Sequence, residues 1–219
     1  MPARRVPTST VSKPTLTPSK KRQILPRAVR REQLILATMR CIARLGLSSV
    51  TLSQVTKEAG LSQGIANLHF AGKEDLLVET LRFVTGEYNR GQVQILKDPA
   101  FGLASERLAA LVAFQFSRSV TEETKMAVWF AFYGEAKSRP TYKAICAQAD
   151  ARAARLVRQL FAEVAQELGR PIDPVMVAEG YIALIDGLWL SLLLAPKKMT
   201  RAKAKRVAWT HLNGIFLSL

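Results

Sequence analysis

The chain has 219 residues, 48% apolar and 22% charged, enough for one or two packed domains with a real core. Lys and Arg total 32 against 17 acids, and the resulting +15 points to a polyanionic partner, either nucleic acid or an anionic membrane surface. Cys41 and Cys146 share no CxxC or Cys/His spacing, which argues against a disulfide framework and a zinc site and for a reducing, cytoplasmic compartment.

Residues 1–31 carry Arg4, Arg5, Lys13, Lys20, Lys21, Arg22, Arg27, Arg30 and Arg31 and no acid, so nine of the fifteen excess charges sit here. The segment is rich in Pro, Ser and Thr and poor in large apolar groups. It cannot bury enough surface to offset its ordering entropy and is expected to be a flexible basic arm over residues 1–29. No apolar run of secretory type follows the basic start. On DNA the arm either lies along a minor groove or has no role of its own.

From Arg30 onward apolar residues recur at helical spacing. Leu34, Ile35, Met39, Cys41, Ile42 and Leu45 line one side of a first helix that stops at Gly46. Further helices are predicted at about 76–93, 103–120, 122–137, 142–168, 174–195 and 201–219, separated by Pro- or Gly-bearing breaks. No sustained alternating run of β-branched residues occurs, and there is no internal repeat. The expected fold is all-α with about nine helices, divided into a DNA-binding part at 30–78 and a larger part at 79–219.

The most informative stretch is TLSQVTKEAGLSQGIANLHFAGKEDLL, Thr51 to Leu77. Thr51 followed by Gln54 fits a capping box, Gly60 supplies a left-handed turn residue, and Ser62 caps the next helix. Two short helices around a Gly-bearing turn make a helix-turn-helix. In the second, Gln63, Gly64, Ala66 and Asn67 are expected near the exposed start, with Ile65 and Leu68 packed inward. Gly64 costs about 1 kcal/mol relative to Ala, a cost that suits close approach to a DNA backbone. The amides of Gln63 and Asn67 can pair with adenine edges.

Thr51, Val55, Ala59-Gly60-Leu61-Ser62, Gly64, His69-Phe70, Lys73, Leu76 and Leu77 fall in register with the DNA-binding domain of the TetR/AcrR family of bacterial regulators, which this segment resembles from Arg31 onward. Many members carry Tyr where this chain has Asn67, so that phosphate-contacting hydroxyl is missing. The resemblance implies phosphate contacts from Thr51 and Lys73, and a reader surface of Ser62, Gln63, Gly64, Asn67 and His69. His69 either contacts DNA or packs against Phe70. Double-stranded palindromic operator DNA is the implied partner, with half-sites about 34 Å apart.

The remaining residues are apolar and helical. Ala178, Ile182, Ile185, Trp189 and Leu192 recur at 4,3,4,3 spacing, and the last helix adds Val207, Leu212, Ile215 and Phe216. These predict a four-helix homodimer interface, the alternative being core within one chain. A narrower resemblance, in MAVWFAFYGEA (Met126–Ala136), ALIDGLWLSLLL (Ala183–Leu194), PTYKAICAQADARAARLVRQL and SQGI, is to the choline-responsive branch of the family. It implies repression of choline and glycine betaine genes, relieved by choline. A quaternary ammonium is held by aromatic faces. Phe114, Trp129, Phe132, Tyr133, Tyr142 and Trp189 are the candidate cage, Phe116 is a further aromatic near it, and Glu135 is the candidate counter-ion; core packing is the competing reading. Asp186 reads as an ion-pair or interface carboxylate, since an unpaired buried one is costly.

No metal cluster, phosphate-binding Gly loop or Ser/His/Asp spacing points to an enzyme or a cofactor. The competing functions are a regulator with an unrelated cationic or apolar effector, and a non-specific basic protein that coats DNA or a membrane surface.

Overall fold

The computed structural model describes residues 26–216. Most of the expected basic arm and the last three positions of the expected C-terminal helix lie outside the described residues. The described residues form nine helices and no strand: α1 (Arg27–Leu45), α2 (Leu52–Ala59), α3 (Gln63–His69), α4 (Lys73–Leu96), α5 (Ala104–Gln115), α6 (Glu123–Glu135), α7 (Pro140–Leu168), α8 (Pro174–Leu194) and α9 (Arg201–Phe216).

Local chemistry sets the ends. Thr51 and Gln54 form the capping box, with the Thr51 N–H donating to Gln54 Oε1 at 2.8 Å and the Gln54 N–H donating to Thr51 Oγ1 at 3.3 Å. Gly60 and Gly169 both take left-handed backbone at φ 64°, closing α2 and α7 where a side chain would be strained. Pro140 and Pro174 begin α7 and α8, and Asp173 caps α8 by accepting from the Val175 and Met176 N–H groups.

Helix α4 covers the expected 76–93 and extends it at both ends. One boundary differs from expectation: helix α5 stops at Gln115, about five residues early. There the Gln115 carbonyl accepts from the Trp189 indole N–H at 2.8 Å, and the Thr121 hydroxyl donates to the Ser117 carbonyl at 2.8 Å. A tertiary bond and local side-chain bonds replace the next helical turn.

The core has two parts. One gathers Leu34, Ile35, Ile42, Val55, Phe70, Leu76 and Leu77 of the first four helices with Val128, Phe132, Tyr142 and Cys146. The other gathers α5, α7, α8 and α9 around Leu111, Leu160, Phe161, Tyr181, Leu188 and Leu212. Met126 of α6 belongs to the second part while Val128 and Phe132 belong to the first, so α6 lies at the seam. Cys41 and Cys146 are both buried and unbridged.

Candidate functional site

The reader helix α3 is set by its contacts behind. Ala66 is fully buried, Phe70 nearly so, and Arg31 lies over the Phe70 ring at 5.2 Å while pairing with Glu79 of α4. This fixes Ser62, Gln63, Gly64, Asn67 and Leu68 on the outer face. Ala66 and Leu68 reverse their expected places: Ile65, Ala66, His69 and Phe70 share the inward stripe at helical spacing, which turns Leu68 out to 73% exposure. A Cβ on Gly64 would meet only Ser62 Oγ, at 3.9 Å, so internal packing does not demand glycine there.

His69 is half-buried behind that face, with Nδ1 buried and unpartnered. Burial first, then the charges of Arg27, Arg31 and Arg30, hold its pKa below the usual imidazole value, so the ring is neutral near pH 7. Lys73, at the start of α4, donates to the Ser48 carbonyl at 3.3 Å, tying that helix to the loop before α2. Thr51 is exposed beside it in sequence order at the start of α2.

The second element is a small cavity lined by Tyr88, Phe114, Lys125, Met126, Trp129, Phe130 and Trp189 among others. An inner chamber adjoins it, sharing Tyr88, Trp129 and Trp189 and adding Gln92, Gln115, Tyr133, Asp150, Tyr181 and Asp186. The rings converge edge to face: Tyr88 lies 5.7 Å from Trp129 and 5.3 Å from Trp189, and the two indoles lie 6.3 Å apart. Phe114 stacks on Tyr88 at 5.9 Å. It rests on α4 at Gly91, where a Cβ would come within 2.6 Å of Phe114 Cε2.

Across both chambers one lysine faces three carboxylates. Lys125 is paired with Glu87 at 2.6 Å. Asp150 accepts from the Tyr133 hydroxyl at 2.6 Å, and Asp186 has no ion pair among the described residues. Both residues are exposed and line the chamber from its solvent side. Burial raises the Asp150 pKa, opposed by the bond from Tyr133. Burial and then the Asp150 charge push Asp186 up to about 6. Asp186 thus lines the chamber without the ion pair that was one of its two expected roles.

Of the expected cage, Phe114, Trp129, Tyr133 and Trp189 meet at this cavity. Phe132, Glu135 and Tyr142 do not. Phe132 and Tyr142 are fully buried, 5.0 Å apart and edge to face, in the core shared with the first four helices. Glu135 instead faces Arg139, which pairs with Glu74 of α4 at 3.0 Å and lies over Tyr142. The reason is helical phase: Met126, Trp129, Phe130 and Tyr133 form one face of α6, while Val128, Phe132 and Glu135 form the opposite one. Phe116 is buried in the second core, off the cavity wall.

The expected dimer stripe is also corrected. Ala178, Ile185, Trp189, Leu192, Leu212 and Phe216 are buried within the single chain, and Ile182 and Ile215 pack partly against the same core. The exposed stripe is the other side of α8: Met176, Gly180, Ala183, Gly187, Leu190 and Leu194, again at 4,3,4,3,4 spacing, with Val207 of α9. Both sides of this helix are apolar, so periodicity could not say which faces inward. Tyr88, Gln92, Gln115 and Asp150 were not singled out in sequence; Tyr88 and Gln92, one turn apart on α4, were the available signal.

A helix-turn-helix reader packed through a shared core to an aromatic cavity is the architecture of a ligand-responsive DNA-binding regulator. Residues 34–80 match the family model for bacterial regulatory proteins of the tetR family, and residues 104–217 match that for the C-terminal part of BetI-type transcriptional repressors. The chain belongs to the TetR family, in its BetI-type branch, and is an effector-responsive DNA-binding repressor.

The HTH-type transcriptional regulator BetI of Escherichia coli K12 is 32% identical over 177 residues, covering 81% of this chain and 89% of that protein. Among solved structures, one from Pseudomonas aeruginosa PAO1 is 29% identical with TM-score 0.77, covering 87% of this chain and 92% of the other. One from Saccharomonospora viridis, in complex with choline, shares the fold at TM-score 0.75 and 24% identity, covering 85% and 96%.

Proposed function

We propose that this chain represses genes of choline and glycine betaine metabolism and is released from its operator by choline bound in the aromatic cavity. The observation that carries the reading is the convergence of Tyr88, Phe114, Trp129, Tyr133 and Trp189 on a space where carboxylates outnumber cations three to one. Each well-placed ring adds about 0.5–2 kcal/mol to a bound cation. In a chain of net charge +15, an anionic interior fits a cationic ligand that the surface would repel. The choline complex of the S. viridis protein supports the same choice.

On DNA, Gln63, Asn67 and Leu68 face base edges, Gly64 lets the helix approach, and Thr51, Ser62 and Lys73 hold phosphates. Helix α6 carries the signal. Its Trp129 face senses the cavity and its Phe132 face packs against the reader domain, so an effector that turns α6 changes the spacing of two reader helices in a dimer. A coupling of about 1–3 kcal/mol is ordinary for such linkage.

The dimer forms through the exposed side of α8 with α9. Only 33% of the most apolar window of α8 is buried in the single chain, and Gly180, Ala183 and Gly187 permit close helix approach. The protein acts where the chromosome is, in the cytoplasm.

Isothermal titration with choline tests the effector: saturable binding lost in Trp129→Ala, with operator binding kept, is the expected result. A Trp129→Ala protein that binds choline as the wild type does overturns the cavity assignment. Size-exclusion chromatography of Leu190→Glu tests the dimer, which is expected to dissociate.

A further inference from the structure

The inner chamber holds a buried acceptor without a partner. Gln92 is 1% exposed; its Nε2 donates to the Tyr88 hydroxyl at 2.6 Å, which donates onward to Gln115 Oε1 at 2.9 Å. This chain engages one Gln92 amide N–H and the Tyr88 hydroxyl and leaves Gln92 Oε1 buried with no partner. The same chamber holds Asp150, whose one protein donor is Tyr133, and Asp186, which has none among the described residues. The Tyr181 hydroxyl is likewise without a partner and neighbours Gln115 without a bond of good geometry. A buried acceptor left unmade in a native fold calls for a donor from outside the chain.

Resting on the reading of the cavity as a cation site, we infer that the inner chamber is a donor-reading subsite: Gln92 Oε1, flanked by Asp150 and Asp186, accepts a hydrogen bond from a hydroxyl or N–H carried by the cationic effector. The ligand class is then a cation with a donor on a short arm, and a donor-free quaternary ammonium is a poor effector. Tyr88, Trp129 and Trp189 line both chambers, so a cation held at these rings lies next to the chamber that contains Gln92. Choline has such a hydroxyl; propyltrimethylammonium has the same shape with a methyl group in its place. An aromatic box alone cannot tell the two apart, because neither the rings nor the ammonium engages the arm. An unpartnered amide can, because the methyl group leaves it unmade.

The test is isothermal titration of the purified full-length chain with choline and with propyltrimethylammonium. Choline is expected to bind about tenfold tighter, the loss of one good hydrogen bond. Gln92→Met keeps volume and removes the acceptor; it is expected to bring the two affinities within about twofold, chiefly by weakening choline. Equal binding of both ligands by the wild-type chain overturns the inference and leaves the cation site standing. A wild-type preference that survives in Gln92→Met removes Gln92 from the role. Binding of neither ligand removes the choline reading and this inference with it. Should Gln92→Met fail to fold by circular dichroism, the wild-type pair of titrations still decides.

Discussion

Helix α6 presents two aromatic faces that differ in almost every physical respect. One holds Trp129 and Tyr133, half-buried, beside carboxylates and empty space. The other holds Phe132, fully buried against Tyr142 and the core of the reader domain. The first face is built to be completed by something else, and the second is already complete. A rigid helix joins them: Trp129 and Phe132 are separated by three residues, an axial rise of about 4.5 Å. Similar residue types thus line a cavity on one side and fill a core on the other, and the difference lies in what each side packs against.

The sharpest way to break this contrast is at the finished face. Phe132→Ala is expected to cost about 3–5 kcal/mol of stability, since a fully buried ring leaves a cavity that the joint cannot close. Chemical denaturation measures it, and a loss below about 1 kcal/mol would mean the joint is loose. Truncating Trp129 is expected to leave stability far less affected while choline binding falls.

At the reader surface, Asn67→Ala and Gln63→Ala are each expected to weaken operator binding by about 1–3 kcal/mol with no change in choline affinity. Fluorescence anisotropy on a selected palindrome checks this, and equal weakening on random DNA would turn the contacts into phosphate contacts.

The sensing face also has a pH signature. Asp186 must lose its proton to act as a counter-ion, and its pKa stands at about 6 in the free protein. A cation favours the ionised form, so affinity is expected to rise with pH by about tenfold between pH 5 and 7 and then level off. The groups that face Asp186 are Asp150, Tyr133, Tyr181 and Tyr88, none of them cationic. Titrations at several pH values should show the rise, and Asp186→Asn should flatten it.

The smallest effect is expected at the rim of the joint. Arg139→Met breaks exposed pairs with Glu74 and Glu135, worth less than about 1 kcal/mol to stability. Its interest is in coupling: choline and operator are each expected to bind nearly as before, with a smaller release of one by the other.

The amino-acid sequence alone determined the helical class, the order of the helices and the reader motif. Capping residues, turn glycines and proline breaks act within a few residues of themselves, so Thr51, Gly60, Ser62 and Pro174 are legible without a fold. The basic excess and the register of Ala59 to Lys73 identified the DNA-binding half for the same local reason. Tertiary structure decided everything that depends on which side of an apolar helix faces inward. α8 is apolar on both sides apart from Glu179 and Asp186, and packing against α6, α7 and α9 put Trp189 at the cavity and Leu190 outside. α6 is aromatic on both sides, and only its place at the seam divided Trp129 and Tyr133 from Phe132. The acceptors of the inner chamber arrive from α4, α5, α7 and α8, helices far apart in sequence, and no spacing along the chain could have gathered them.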